Sequence, residues 1–442
     1  MVFGWRKKRP AFVNKSWKKQ QGGENFRIEV IIPNHFLCPI SLTLMKDPVT
    51  LSSGITYDRE SIETWFEAGN ITCPVTNQVL KSFDQIPNHS LRKMIQEWCV
   101  ENRGYGVERI PTPRVPVSPY QVSEVTLNIA ASTKRLDQFG CLELVRRINE
   151  WGSQSERNRR CLMGNGMKAV LAEAFHAFSA DSFERNVILL EEILSAISWM
   201  FPLDTEAQTH LASKVSLECM VWFLKAKDTS AKQNSILTLK ELVSSNQQYV
   251  ESLASIKGLS ELLFEFIEKP ICTPITKASL LLVFNLLSSD SSGELIKPRL
   301  INLGLFPLLL KLIVESEKST CERALGVLDR LCECEEGREE AYNNALTIPV
   351  LVKKILRVSG LASAYSVSAI WKLSKLSTKH QETVLVDIVQ VGAFQKLVLL
   401  LQLGCGDETK EKATEILKLI NPYRAGLECI ESVDFKNLKR SF

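Results

Sequence analysis

Over most of the chain, apolar positions recur with two nested periods. The short one is helical: a small residue, Leu or Val four positions on, then Leu or Ile three further, all on one helix face. The long one is a step of 44 or 45 residues. Ser235/Leu239/Leu242, Ser279/Val283/Leu286, Ala324/Leu328/Leu331, Ala369/Leu373/Leu376 and Ala413/Leu417/Ile420 start 44, 45, 45 and 44 residues apart. A second landmark keeps the same beat: Gly258-Leu259, Gly304-Leu305, Ile348-Pro349 and Gly392-Ala393 are spaced 46, 44 and 44 residues apart. Each precedes an apolar stretch, which predicts a short turn followed by a long third helix. Gly166-Met167, ahead of KAVLAEAF, marks an earlier unit, and Asn186, Leu190 and Ile193 mark a more divergent one. Units of two or three helices cannot bury their apolar faces alone and stack on their neighbours, so the pattern predicts a solenoid of about six repeats and a terminal cap.

Between Ile32 and Arg103 the pattern changes. Asp58 is placed to cap a helix in which Ile62, Trp65 and Phe66 form one apolar stripe. Ser90 is placed to cap a second, with Leu91, Met94, Ile95 and Trp98 on its packed face. Gly69, Pro74 and Pro87 punctuate the loops and turns between them. The ordered landmarks are Cys38-Pro39-Ile40, Asp47-Pro48-Val49, Gly54-Ile55-Thr56-Tyr57-Asp58-Arg59, Cys73-Pro74 and Ile86-Pro87-Asn88.

On these residues the segment resembles the U-box, the zinc-free relative of the RING domain of ubiquitin ligases. A RING needs two zinc ions and eight thiolate or imidazole ligands, usually including CxxC pairs. This stretch contains no CxxC, and its Cys and His residues are His35, Cys38, Cys73, His89 and Cys99. No metal or other cofactor is therefore expected. A polar network drawn from Asp47, Ser52, Ser53, Thr56, Asp58, Arg59 and Asn88 would replace the zinc, and such a network stabilises only when nearly every member is satisfied. The repeat pattern resembles armadillo repeats. Together the two resemblances imply a plant U-box/armadillo-repeat E3 ubiquitin ligase: a small α+β U-box followed by an all-α armadillo-type solenoid, with links to stress or defence signalling.

The resemblance also implies where partners bind. The conjugating enzyme E2 would dock on two loops and the central helix, which maps Ile40 and Leu42 to the first loop, Trp65 to the helix, and Pro74 and Asn77 to the second loop. Apolar residues of a small domain are more often core; the resemblance moves Ile40 and Pro74 to the docking surface and leaves Trp65 open between core and interface. Cys38 and Cys73 read as small buried residues, and no covalent nucleophile is expected, since ligases of this class carry no ubiquitin thioester. The ligase works by position, holding ubiquitin-charged E2 close to a substrate lysine. Strong members often place Arg where this chain has Asn77, whose amide donates without the guanidinium charge. That departure implies modest or E2-selective activity, and it is the best support for the alternative of a non-catalytic armadillo scaffold with a degenerate U-box.

Composition divides the chain in the same way. Its 442 residues are too many for one ordinary core but suit a small domain plus a solenoid. The division reads as a basic tail (1–31), the U-box (32–103), a linker (104–122) carrying Pro111, Pro113, Pro116 and Pro119, the solenoid (123–421) and a C-terminal tail (422–442). No apolar run is long enough to span a bilayer, and no secretory signal is expected. The 12 cysteines, spread singly through apolar helices, point to a reducing compartment; Cys332 and Cys334 are a close pair with no further ligand to complete a metal site. The first twenty residues carry seven Lys or Arg and no acid, whereas the whole chain is only +4. Such a tail suits contact with anionic membrane, helped by Trp5, Phe12 and Trp17, or nuclear import, or plain solvation. Without a recognition fold it does not argue for nucleic acid. The expected location is the cytoplasm, with the nucleus and the membrane periphery as the alternatives the tail allows. The expected partners are E2, ubiquitin and a protein substrate held on the repeats, where His176, His210, His380 and Trp371 are candidate surface residues.

Overall fold

The computed structural model describes residues 31–111, 117–164, 166–289, 293–375 and 381–423. The basic tail before Ile31, Pro113, Pro116, Leu376, His380 and the tail beyond Tyr423 lie outside the described residues. The chain forms two compact units that divide between Pro116 and Val117.

In the first unit, β1 (Pro48–Thr50) pairs antiparallel with β2 (Thr56–Asp58) and with β3 (Ile86–Pro87), giving the order β2-β1-β3. Val49 faces Tyr57 on one side and Pro87 on the other. Helix α1 (Arg59–Glu67) follows β2 directly, and α2 (His89–Glu101) follows β3. The core gathers Phe36, Met45, Val49, Tyr57, Ile62, Leu80 and Ile95. Two caps differ from the sequence expectation. Asn88, not Ser90, caps α2, its Oδ1 accepting from the Leu91 N–H at 3.0 Å, because the helix begins at His89, two residues earlier than a Ser90 cap would place it. Asp58 does sit at the start of α1, but its carboxylate is committed elsewhere and makes no cap bond.

The expected linker is partly folded. Val107 and Ile110 are buried in the first unit's core, and Pro119–Val122 form the first turn of a helix that reaches Lys134. Proline at the first helical position costs nothing there, since that N–H has no helical partner, and Ser118 with Gln121 closes a capping box around it.

The second unit is all helix among its described residues. From Pro119 to Gln390 the helices fall into six triads, and Ala393–Leu403 with Asp407–Ile420 ends the array as a pair. The small-residue landmarks sit on the long middle helices Thr229–Ser245, Thr273–Leu287, Lys318–Leu331 and Gly360–Lys375, and on Asp407–Ile420 of the final pair. Ser235, Ser279, Ala324, Ala369 and Ala413 are each fully buried there, where successive long helices pack on one another. Gly258, Gly304 and Gly392 stand before the shorter helices Leu259–Glu268, Leu305–Glu315 and Ala393–Leu403, not before long ones as expected, whereas Gly166 does precede a long helix, Met167–Ser182. Gly166, Gly258, Gly304 and Gly392 all have φ between 70° and 87°, a left-handed turn that an L side chain resists. Polar links also cross the stack. Lys372 Nζ reaches back from Gly360–Lys375 to donate to Asp329 Oδ1 at 2.8 Å and to Glu333 at 3.3 Å.

Candidate functional site

Two loops of the first unit share one construction. In the first, the Cys38 N–H donates to the Thr43 carbonyl at 2.9 Å and the Leu42 N–H to the Cys38 carbonyl at 2.8 Å. In the second, Cys73 bonds Gln78 at 2.9 Å and Asn77 bonds Cys73 at 2.8 Å in the same sense. Matching single-pair bridges, Leu37 with Leu44 and Thr72 with Val79, close each loop at its base. The fifth residue of each is left-handed, Leu42 at φ 55° and Asn77 at φ 58°. Asn tolerates that region well and Leu poorly, so Asn77 suits its backbone whatever else occupies that position in relatives. The bonds that in a metal site would orient ligands here close the loops themselves.

Adjacent residues of β2 anchor the two loops. The Asp58 N–H donates to Cys38 Sγ at 3.3 Å, and the Tyr57 hydroxyl lies 3.0 Å from Cys73 Sγ while accepting from the Val75 N–H at 3.2 Å. The Tyr57 oxygen thus bridges the Val75 N–H and the Cys73 sulfur. Burial pushes the Tyr57 hydroxyl well above the usual phenol range, so it remains a donor. Burial also raises the Cys73 thiol, but the hydroxyls of Ser53, Thr76 and Tyr57 and the Thr76 N–H outweigh it and bring it down to about 6. Both sulfurs are fully buried. Cys73 is therefore an acceptor at the centre of a loop, not an exposed nucleophile.

The polar residues that were expected to replace zinc fall into three bonded groups, one around Asp47, Asp58 and Arg59, one around Thr56 and Asn88, and one at Ser52. Asp58 Oδ1 accepts from the Lys46 and Asp47 N–H groups, each at 2.8 Å. Asp47 Oδ2 accepts from Arg59 Nε at 2.6 Å, and Arg59 also donates to Gln85 at 3.1 Å. Thr50 and Thr56 share a 2.9 Å hydroxyl bond across β1 and β2, and Asn88 Nδ2 donates to both at 3.3 Å. Ser52 donates to the Ser82 carbonyl at 3.2 Å.

The candidate docking residues are placed unequally. Leu42 is 55% exposed, while Ile40 and Pro74 are half-buried and Asn77 is exposed. Trp65 is half-buried against the core, and its indole N–H donates to the Thr72 carbonyl at 2.8 Å, at the base of the second loop. It is thus a structural anchor whatever its outer face does. Val75, missed in the sequence, is 52% exposed between Pro74 and Asn77; an apolar residue next to the Cys-Pro pair was the available signal. Tyr57 and Arg92 were also missed, because their role is to hold the loops from beneath.

Of the candidates on the solenoid, Trp371 is half-buried, donates to Glu415 at 2.6 Å and lies under the ammonium groups of Lys375 and Lys412. His176 pairs with the Ser213 hydroxyl at 2.8 Å, its ring 6.2 Å from that of His210. Cys332 is buried, and Cys334 stands at the start of the helix Glu335–Asn343.

A family model described as the U-box domain matches residues 32–104, and one described as the plant U-box protein ARM repeat region matches residues 121–440. U-box domain-containing protein 21 of Arabidopsis thaliana is 45% identical over 94% of each chain. U-box domain-containing protein 20 of the same plant is 42% identical, also over 94% of each. The Arabidopsis E3 ubiquitin-protein ligase PUB23 is 35% identical over 88% of this chain and 93% of its own. With its paired loops, its hydrogen-bonded polar core and its stacked helical triads, the chain belongs to the plant U-box/armadillo-repeat E3 ubiquitin ligase family.

Proposed function

We propose that the U-box docks a ubiquitin-charged E2 on its two loops while the armadillo repeats hold a protein substrate, so that ubiquitin passes directly from E2 to a substrate lysine. The observation that carries this reading is the pair of matched loops, pinned by Tyr57 and Asp58 and presenting Leu42 and Val75 outward, with Ile40 and Pro74 half-buried beside them. Apolar side chains on a rigid, bonded frame lose little freedom when a partner covers them, which favours binding. The thiols of Cys38, Cys73 and Cys99 are buried, which supports transfer without a thioester on the U-box. The chain then contributes proximity and orientation, and the chemistry belongs to E2.

Asn77 stands beside this surface and, through its amide, donates to E2 or ubiquitin with less strength than a guanidinium. We place it as a tuning contact. Ubiquitin discharge from a panel of charged E2 enzymes onto free lysine tests the reading: the full chain accelerates discharge with at least one E2, and Ile40→Ala abolishes the acceleration while the protein stays folded. Folded protein that accelerates none of them transfers the reading to a scaffold.

A further inference from the structure

The chain after α2 does not leave the U-box. A short turn at Arg103–Tyr105 ends in Gly106 at φ 85°, which reverses the chain. The strap that follows buries Val107 and Ile110, each 5% exposed, in the U-box core. A backbone bond from Ile110 reaches the buried Cys99 sulfur. Within the same strap the Pro111 carbonyl accepts from the Arg92 guanidinium. Arg92 is itself buried, 8% exposed, and its other side faces Asp47 Oδ1 at 3.9 Å. Asp47 is the carboxylate that holds Arg59, and its own N–H is held by Asp58, the residue that pins Cys38 in the first loop. A continuous line of polar contacts thus runs from Pro111 through Arg92, Asp47 and Asp58 to the first docking loop.

We infer that residues 106–111 are an integral strap of the U-box and that Arg92 is a positioning residue, coupling the strap to the first docking loop. A buried guanidinium must be paired on every side, and here one partner comes from the strap and the other from the loop's foundation. Removing either leaves the other free to shift. This inference rests on the docking reading above, and it places the end of the functional domain beyond residue 104, where the family match stops.

The test uses the full chain with Arg92→Met, Ile110→Ser, the double variant, the milder Ile110→Ala, and Ile40→Ala as a reference. Discharge from charged E2 is measured at varied E2 concentration, with thermal unfolding alongside. Arg92→Met and Ile110→Ser should each raise KM by about tenfold, with a smaller fall in kcat, as expected for loss of one charged hydrogen bond. Because both act through one connection, the double variant should be no worse than the poorer single one. Ile110→Ala, which keeps the strap seated, should show the same KM effect in weaker form. Unchanged KM in folded variants, or a double variant about a hundredfold impaired as independent sites would give, overturns the inference. If Ile40→Ala keeps the wild-type KM, the docking reading has failed; if only Ile40→Ala is impaired, the strap inference alone has failed.

Discussion

Replacing Leu42 with Asn separates docking from folding. Leu42 is 55% exposed and sits at φ 55°, so the fold gains little from its side chain and is strained by it. Burying a whole Leu side chain is worth about 1.5–3 kcal/mol. A docked E2 covering the exposed half would gain about 1–1.5 kcal/mol, which corresponds to a loss of about five- to tenfold in Kd when the side chain is removed. Asn adopts the left-handed region readily, as Asn77 does at the matching position, so U-box stability should hold or rise by up to about 1 kcal/mol. Fluorescence titration of E2 onto the full chain gives Kd, and a melting curve gives stability. An unchanged Kd refutes the placement of Leu42 in the interface. A fall of several degrees in melting temperature refutes the claim that it is outside the core.

Three further outcomes follow from the bonds beneath the loops and between the repeats. Tyr57→Phe removes one oxygen and leaves the Val75 N–H and Cys73 without their partner, which should cost about 2 kcal/mol and lower U-box melting by about 10 °C; calorimetry reads it directly. The Cys73 thiol titrates at about 6 in the fold against an ordinary value of 9.0. Between those values the unfolded chain binds more protons, so U-box stability should rise from pH 6 to 9, and lose this increment as pH falls through 6. Cys73→Ser should flatten that slope in denaturant titrations at several pH values. Lys372→Met strands the buried carboxylate of Asp329 and should destabilise the solenoid by about 3–5 kcal/mol, while adding Asp329→Asn should recover most of the loss in the same unfolding assay.

The repeats were legible because their spacing is a packing requirement. Ser235, Ser279, Ala324, Ala369 and Ala413 recur since each lies where one long helix meets the next and no room remains. Which helix of the triad was long was not legible, because the glycine turn marks a start and says nothing of the next stop. The small domain's landmarks gave the two loops and the polar candidates, but not their partners: Asp58 looked like a helix cap until its carboxylate was found holding the Lys46 and Asp47 amides. The strap was misread for a physical reason. Its prolines look like a solvated linker, and the apolar pair Val107 and Ile110 is too short to show a period. The left-handed turn at Leu42 had no signal at all, since Leu is not a residue that marks such a conformation. The Asp329 and Lys372 pair is invisible until the stack brings positions 43 residues apart into contact.

The most direct test of the central claim is ubiquitin discharge from a panel of charged E2 enzymes, comparing the wild-type full chain with folded Ile40→Ala and Leu42→Asn. Acceleration by the wild type that falls in both variants, while both still unfold cooperatively as folded proteins, is the predicted result. Acceleration that persists undiminished in both would contradict E2 docking on the paired loops.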